Sequence, residues 1–211
     1  MTNAYITVSH SSREETVINK SRFIGYAAPC ATESDALSFL QEIREEHKTA
    51  THHCYAYIIG ENSGIMRYSD DGEPGGTAGL PMMDVLRARN IVNCCVVVVR
   101  YFGGTLLGTG GLVRAYSQSA QSALNAAEIV RMEQTSLLSC ELPYQVWDKF
   151  RYTAEQLQVM IRDVEYSKIV SFILAVRSCD KDSLMPKLLD SSERMLKTHS
   201  EEESYEAWKT E

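Results

Sequence analysis

Hydrophobic and polar positions change register several times along this chain, and each register predicts an element. Residues 2–10 and 16–29 read as strands. The run from Lys20 to Tyr26 follows a period of two and carries aromatic and β-branched residues. Thr32, Glu33, Ser34 and Asp35 then supply capping side chains and early carboxylates. Ala36, Leu37, Leu40, Ile43 and His47 follow at helical spacing. Residues 54–59 predict a strand, 61–64 a turn and 65–69 its hairpin partner. A short helix is expected over 82–89. The stretch 93–101 carries Val96, Val97, Val98 and Val99 without alternation, so it predicts a strand buried on both faces. A long helix is expected from 112 to about 127. Tyr116, Ala120, Ala123, Leu124 and Ala127 lie on one face of it, and its richness in Ala and Ser suggests close packing on a sheet.

Around 131–136 the pattern turns polar, which places a boundary between domains 1–133 and 134–211. Beyond it, 136–142, 145–157, 158–166, 169–177, 182–190 and 194–205 read as strand, helix, strand, strand, helix, strand. That is the order of a ferredoxin-like split βαβ domain, so the fold class is α+β.

Composition adds one strong asymmetry. Of 12 glycines, nine lie between Gly72 and Gly111, and none follows Leu112. The 21 basic and 28 acidic residues leave a net charge of -7, with both domains mildly acidic, so broad nucleic-acid affinity is not announced. Cys30, Cys54, Cys94, Cys95, Cys140 and Cys179 form no CxxC pair and read as reduced, buried thiols. The first fifteen residues lack a leader's apolar core, and no apolar run is long enough to span a membrane. A cytoplasmic protein without a cofactor or a metal is the expectation.

The segment from Val96 to Arg114 is a strand, a glycine-rich loop and a helix. Such loops bind anions, because backbone N–H groups converge and the helix start adds partial positive charge. Arg100, Gly103, Gly104, Gly108, Thr109, Gly110, Gly111 and Arg114 are the candidate anion-binding residues. A purely conformational role for the glycines is the competing reading, and the two arginines tip the balance. Two standard nucleotide patterns fail. Thr109 stands where a P-loop needs Lys, and Val113 where a dinucleotide fingerprint needs its third glycine.

The loop Asp70-Asp71-Gly72-Glu73-Pro74 concentrates three carboxylates. It suits a hard cation or acid–base catalysis. The preferred reading is structural: aspartates holding backbone N–H groups and pairing with Arg100 or Arg67. His52 and Cys54 share one strand face and could be a base with a thiol nucleophile or part of a metal site, with the structural reading again preferred because no third ligand pattern is visible. Asp70, Asp71, Glu73, His52 and Cys54 are therefore the catalytic candidates. Tyr55, Tyr57, Tyr101 and Phe102 are core positions or a stacking surface, with core preferred.

Three strings carry a resemblance: THHCYAY (51–57), SDDGEPGGTAGLP (69–81) and VVVRYFGGTLLGTGGLVRAY (97–116). Together they resemble the IMPACT/YigZ family, bacterial two-domain type. The resemblance implies an N-terminal domain like the second domain of small-subunit ribosomal protein five. It also implies a C-terminal domain like domain five of elongation factor G, and a link to translation. Eukaryotic members carry an additional N-terminal domain and restrain a stress kinase. A chain of 211 residues leaves no room for that domain, so kinase restraint is not expected. Many members have Lys where this chain has Leu107, which moves the weight of phosphate contact to Arg100 and Arg114. The first expectation is a translation-associated regulatory binding protein that contacts RNA, ribosome or a nucleotide. The second is a carboxylate- or metal-dependent hydrolase or phosphoryl-transfer enzyme. The third is a protein that binds protein partners through its sheet faces.

Overall fold

A computed structural model describes residues 4–209. Residues 1–3 and 210–211 lie outside the described residues, and with them the first positions of the strand expected over 2–10. Five helices and two β-sheets make up a mixed α/β chain. It divides into two units. One holds Tyr5–Arg131 with Lys209, the other Ala4 with Met132–Trp208.

The first unit contains β1 (Tyr5–Val8), β2 (Ser12–Ile18), β3 (Ser21–Pro29), α1 (Glu33–Glu46), β4 (His52–Ile59), β5 (Ile65–Ser69), α2 (Gly79–Ala88), β6 (Cys94–Tyr101) and α3 (Gly108–Ala126). Its main sheet is ordered β2-β3-β6-β4-β5, with every pairing antiparallel. The strand expected over 16–29 is broken at Asn19 and Lys20, which have φ of 46° and 67°. Ile18 pairs with Ser21 around them, so this is a two-residue hairpin. The even side-chain period survives such a turn, which is why the alternation alone did not reveal it.

The central strand β6 explains its unalternating valines. Val96 and Val98 pack with Phe23, Met82, Leu86, Tyr116 and Ala120 on the face covered by α2 and α3. Val97 and Val99 pack with Ile24, Tyr57, Leu40 and Ile43 on the face covered by α1. Helix α3 lies very close to β3: a Cβ on Gly25 would stand 2.6 Å from the Ser119 carbonyl oxygen. Small residues on α3 and glycine on β3 are two halves of one contact.

Helix starts follow their caps. Thr32 accepts from the Asp35 N–H and Asp35 accepts from the Thr32 N–H, a complete capping box on α1. Helix α2 begins at Gly79, three residues before the expected 82. Pro81 is tolerated there because the first helical turn has no use for its missing N–H. Helix α3 begins at Gly108, so Thr109, Gly110 and Gly111 form its first turn instead of the loop before it.

The second unit is built on β7 (Ile129–Leu142), α4 (Tyr144–Gln156), β8 (Met160–Tyr166), β9 (Val170–Arg177), α5 (Lys181–Ser191) and β10 (Lys197–Lys209). Its sheet has five strands, with β7, β9 and β8 in that order and both β10 and β1 paired to β7, whose range begins at Ile129. Leu138, Leu142, Trp147, Phe150, Phe172 and Leu174 form its core.

Candidate functional site

The site is built at one end of β6. Arg100 pairs across the sheet with Phe23 on β3 and with His52 on β4. The strand period puts it on the same face as Val96 and Val98, under α3. The loop that follows β5 folds over this end and brings Glu73 down onto it. Glu73 Oε1 accepts from Arg100 Nη1 at 2.6 Å and from the Tyr116 hydroxyl of α3 at 2.7 Å. The side chains of Arg100 and Glu73 are only 6% and 3% exposed, so the pair is buried. The two glycine-rich segments, each from a different part of the sequence, are therefore joined by one carboxylate.

This changes the expected role of Arg100. Its guanidinium is given to Glu73 inside the protein instead of standing free at the glycine loop. Phe23 and Phe102 flank its carbon, each with the ring centre 5.4 Å away. Nη2 reaches Ser21 Oγ at 3.5 Å, while Nε is buried without a hydrogen-bond partner. The choice between Arg100 and Arg67 as partner of the acidic loop is also decided, since Arg67 is paired with Glu33.

The other carboxylates of the loop are engaged too. Asp70 accepts from the N–H groups of Gly76, Ala78 and Gly79 at 2.8, 3.0 and 2.8 Å, and so caps α2 from a distance. Burial pushes its carboxyl up, but those three N–H bonds outweigh burial and hold it below the usual range. Asp71 has a φ of 43° and accepts from the His53 N–H at 2.6 Å. Arg44 lies 3.7 Å from its other oxygen.

His52 Nδ1 lies 2.8 Å from the Asp71 carbonyl. A carbonyl only accepts, so Nδ1 carries the proton. Its Nε2 lies 3.8 Å from Glu73 Oε1. Cys54 donates its thiol to the Asp70 carbonyl at 3.0 Å, and burial pushes that thiol up to about 12. It is a core thiol and not an activated nucleophile. Burial also raises the Tyr116 phenol far above its ordinary value, so its hydroxyl remains a donor to Glu73. Among the described residues, no three His, Cys, Asp or Glu side chains converge as a metal-ligand set.

The five catalytic candidates thus lie near one end of β4 and β6, but their side chains turn to different partners: Glu73 to Arg100 and Tyr116, Asp71 to the His53 N–H and Arg44, and Asp70 to the start of α2. Two members of the cluster lay outside the expected site. Tyr116 reads as a core position, and the signal for its role is its hydroxyl, since a buried phenol needs a partner. Ser21 binds the Gly103 N–H at 3.1 Å and anchors the loop. On the opposite face, His47 stands between two phenols, 2.6 Å from Tyr26 and 2.8 Å from Tyr101.

The glycine loop itself divides in two. Gly103 is demanded by packing: a Cβ there would stand 2.1 Å from the Lys20 backbone. Gly104 and Gly108 have φ of 79° and 70°, which favour glycine. Gly110 has neither reason. It is helical, its φ is ordinary, and a Cβ would meet nothing within 4 Å. No side chain caps the start of α3. Gly108, Thr109, Gly110 and Arg114 are exposed, with Gly111 half-buried.

Comparison with known proteins fits these segments. The Impact N-terminal domain matches residues 19–124, and a domain of unknown function, DUF1949, matches 140–192. The chain is 41% identical over 172 residues to the IMPACT family member YvyE of Bacillus subtilis, covering 82% of this chain and 79% of that protein. It is 35% identical to the IMPACT family member YigZ of Escherichia coli, covering 88% and 92%. A solved crystal structure of a hypothetical protein aligns with a TM-score of 0.60 and 32% identity, over 93% of this chain and 97% of that one. The glycine loop, the acidic loop and the His-His-Cys strand all fall inside the matched N-terminal domain, and this chain belongs to the IMPACT family.

Proposed function

We propose that this protein is a translation-associated regulatory binding protein that contacts RNA, ribosome or a nucleotide through the exposed start of α3. Family membership supports the link to translation. Gly110 carries the structural side of the reading. A glycine inside a helix costs about 1 kcal/mol relative to alanine. Neither its backbone conformation nor packing accounts for that cost. A ligand that approaches the backbone closely would account for it, and Thr109, Gly110 and Gly111 offer their N–H groups to such a ligand. Arg114, exposed and without an ion pair among the described residues, supplies charge from the second turn. Gly103, Gly104 and Gly108 shape the loop. Arg100 acts beneath it, by holding Glu73.

The fold belongs to the same proposal. We assign domains 1–133 and 134–211. The second has the connectivity of a ferredoxin-like split βαβ, because the order β10-β7-β9-β8 follows from β-α-β-β-α-β. Likeness to elongation factor G domain five and, for the first domain, to ribosomal protein five is part of this reading. The hydrolase alternative gains nothing from the geometry, since Asp70, Asp71 and Glu73 all hold intramolecular partners.

The test is cosedimentation with ribosomes at low and high salt, with Arg114→Ala alongside. Retention at low salt, loss at high salt and weaker retention of Arg114→Ala are expected. No cosedimentation at low salt together with no RNA binding would overturn the proposal.

A further inference from the structure

The exposed start of α3 offers N–H groups to phosphate but nothing that reads a base. Phe102 fills that gap. It leaves β6 at the head of the glycine loop and is 46% exposed. An aromatic ring half in water at a loop start has a face available for stacking. Its position is fixed. The Phe102 N–H donates to Thr51 Oγ1 at 3.1 Å, and the Arg100 guanidinium carbon lies 5.4 Å from the ring centre. Gly103, the next residue, is pressed onto the backbone of Lys20 and Ser21, and its N–H is bound by Ser21.

That pressing brings the β2–β3 hairpin turn against the loop. Lys20 sits in the turn with a positive φ, exposed and in no ion pair among the described residues. Beyond the loop, in the second turn of α3, Arg114 is likewise exposed and in no ion pair among the described residues. In a chain of net charge -7, Lys20 against the loop and Arg114 on the helix that follows it are thus unneutralised cations, while Arg13 on β2 and Arg22 on β3 are both paired with Glu15. Leu106, 86% exposed, forms the loop tip.

We propose that Phe102 is a stacking platform for an unpaired base of single-stranded RNA, with Lys20 and Arg114 holding the phosphates on either side. Cations spaced along a backbone path and a fixed aromatic face are what sequence-tolerant single-strand binding requires. Arg100 gives the ring a rigid, cation-backed inner side, so stacking costs little side-chain entropy. This inference rests on the function proposed above and names the chemistry of its ligand.

The test uses the full chain and a labelled ten-nucleotide uridine RNA, read by fluorescence anisotropy, next to an abasic oligomer of the same phosphate count. Wild-type protein should bind the RNA at least tenfold tighter than the abasic oligomer. Phe102→Ala should lose about tenfold for the RNA, the size of one base–aromatic stack, and nothing for the abasic oligomer. Phe102→Trp should restore affinity, and the introduced indole should be quenched on binding. Lys20→Ala should weaken both ligands and flatten the salt dependence. Thermal denaturation of the Phe102 variants checks that they remain folded. Equal binding of RNA and abasic oligomer, unchanged in Phe102→Ala, overturns the stacking platform and leaves the phosphate reading standing. No binding of either oligomer overturns the platform. Ribosome cosedimentation that still depends on Phe102 would then assign the surface to a protein component.

Discussion

Removing the Glu73 carboxylate should destabilise the first unit far more than removing both members of its pair. Arg100 and Glu73 are almost completely buried and 2.6 Å apart. Their attraction is set against the cost of drying two charges, so the pair as a whole is worth little. Breaking it is a different matter, because the surviving charge stays buried with no counter-ion. Glu73→Leu should therefore cost about 3–5 kcal/mol. The Tyr116 hydroxyl loses its acceptor as well, about 1 kcal/mol more. Glu73→Gln keeps an acceptor for both donors and should fall between, near 2 kcal/mol. The double variant Glu73→Leu with Arg100→Met removes the stranded charge and should be less unstable than Glu73→Leu alone, with a coupling of about 2 kcal/mol or more. Native-state hydrogen exchange on peptides from β6 is the assay, since it reports opening of this unit whatever the second unit does. A cost of 3–5 kcal/mol speeds exchange of the Val96–Val99 amides by roughly two to four orders of magnitude. If the two single variants simply add in the double variant, the reasoning from a desolvated pair is wrong.

Four further outcomes follow from the same structure. Gly103→Ala should destabilise by several kcal/mol, since its Cβ would overlap the Lys20 backbone, whereas Gly110→Ala should be neutral or stabilise by up to about 1 kcal/mol; urea denaturation separates the two. Gly110→Ala should also weaken ribosome or RNA binding, which cosedimentation reads. Asp70 titrates lower when folded than when unfolded, so its contribution is complete above the unfolded value, about pH 4, and is lost as pH falls through the folded one. Acid titration of stability should thus be shallower in Asp70→Asn than in the wild type, and that variant should be about 1–2 kcal/mol less stable at pH 7. In the native protein only Cys179 is exposed, so a thiol reagent at pH 8 should label one cysteine rapidly and the other five only on unfolding, as counted by mass spectrometry.

Much of this was legible in the residue pattern, and what was not has a physical cause. The capping box at Thr32, the two-faced burial of Val96–Val99 and the small-residue face of α3 were readable because each depends on local sequence or on a simple period. The hairpin at Asn19 and Lys20 was hidden because a two-residue turn keeps the alternation intact. The start of α2 was hidden because its cap, Asp70, lies nine residues ahead of Gly79 and acts through space. The acidic loop was weighed as a local motif, with Asp70 and Asp71 holding backbone groups, and both do so. Glu73 is different: its partners are 27 and 43 residues away, on β6 and α3. That distance explains why Arg100 looked like a free anion contact. An arginine at a strand end beside glycines has the right local chemistry, and only tertiary structure says that a carboxylate has already taken it. The same fact directs attention outward. With Arg100 committed below, any anion recognised here must be met by charges that nothing inside the fold uses, and the exposed candidates are Lys20, whose backbone lies against Gly103, and Arg114 in the second turn of α3.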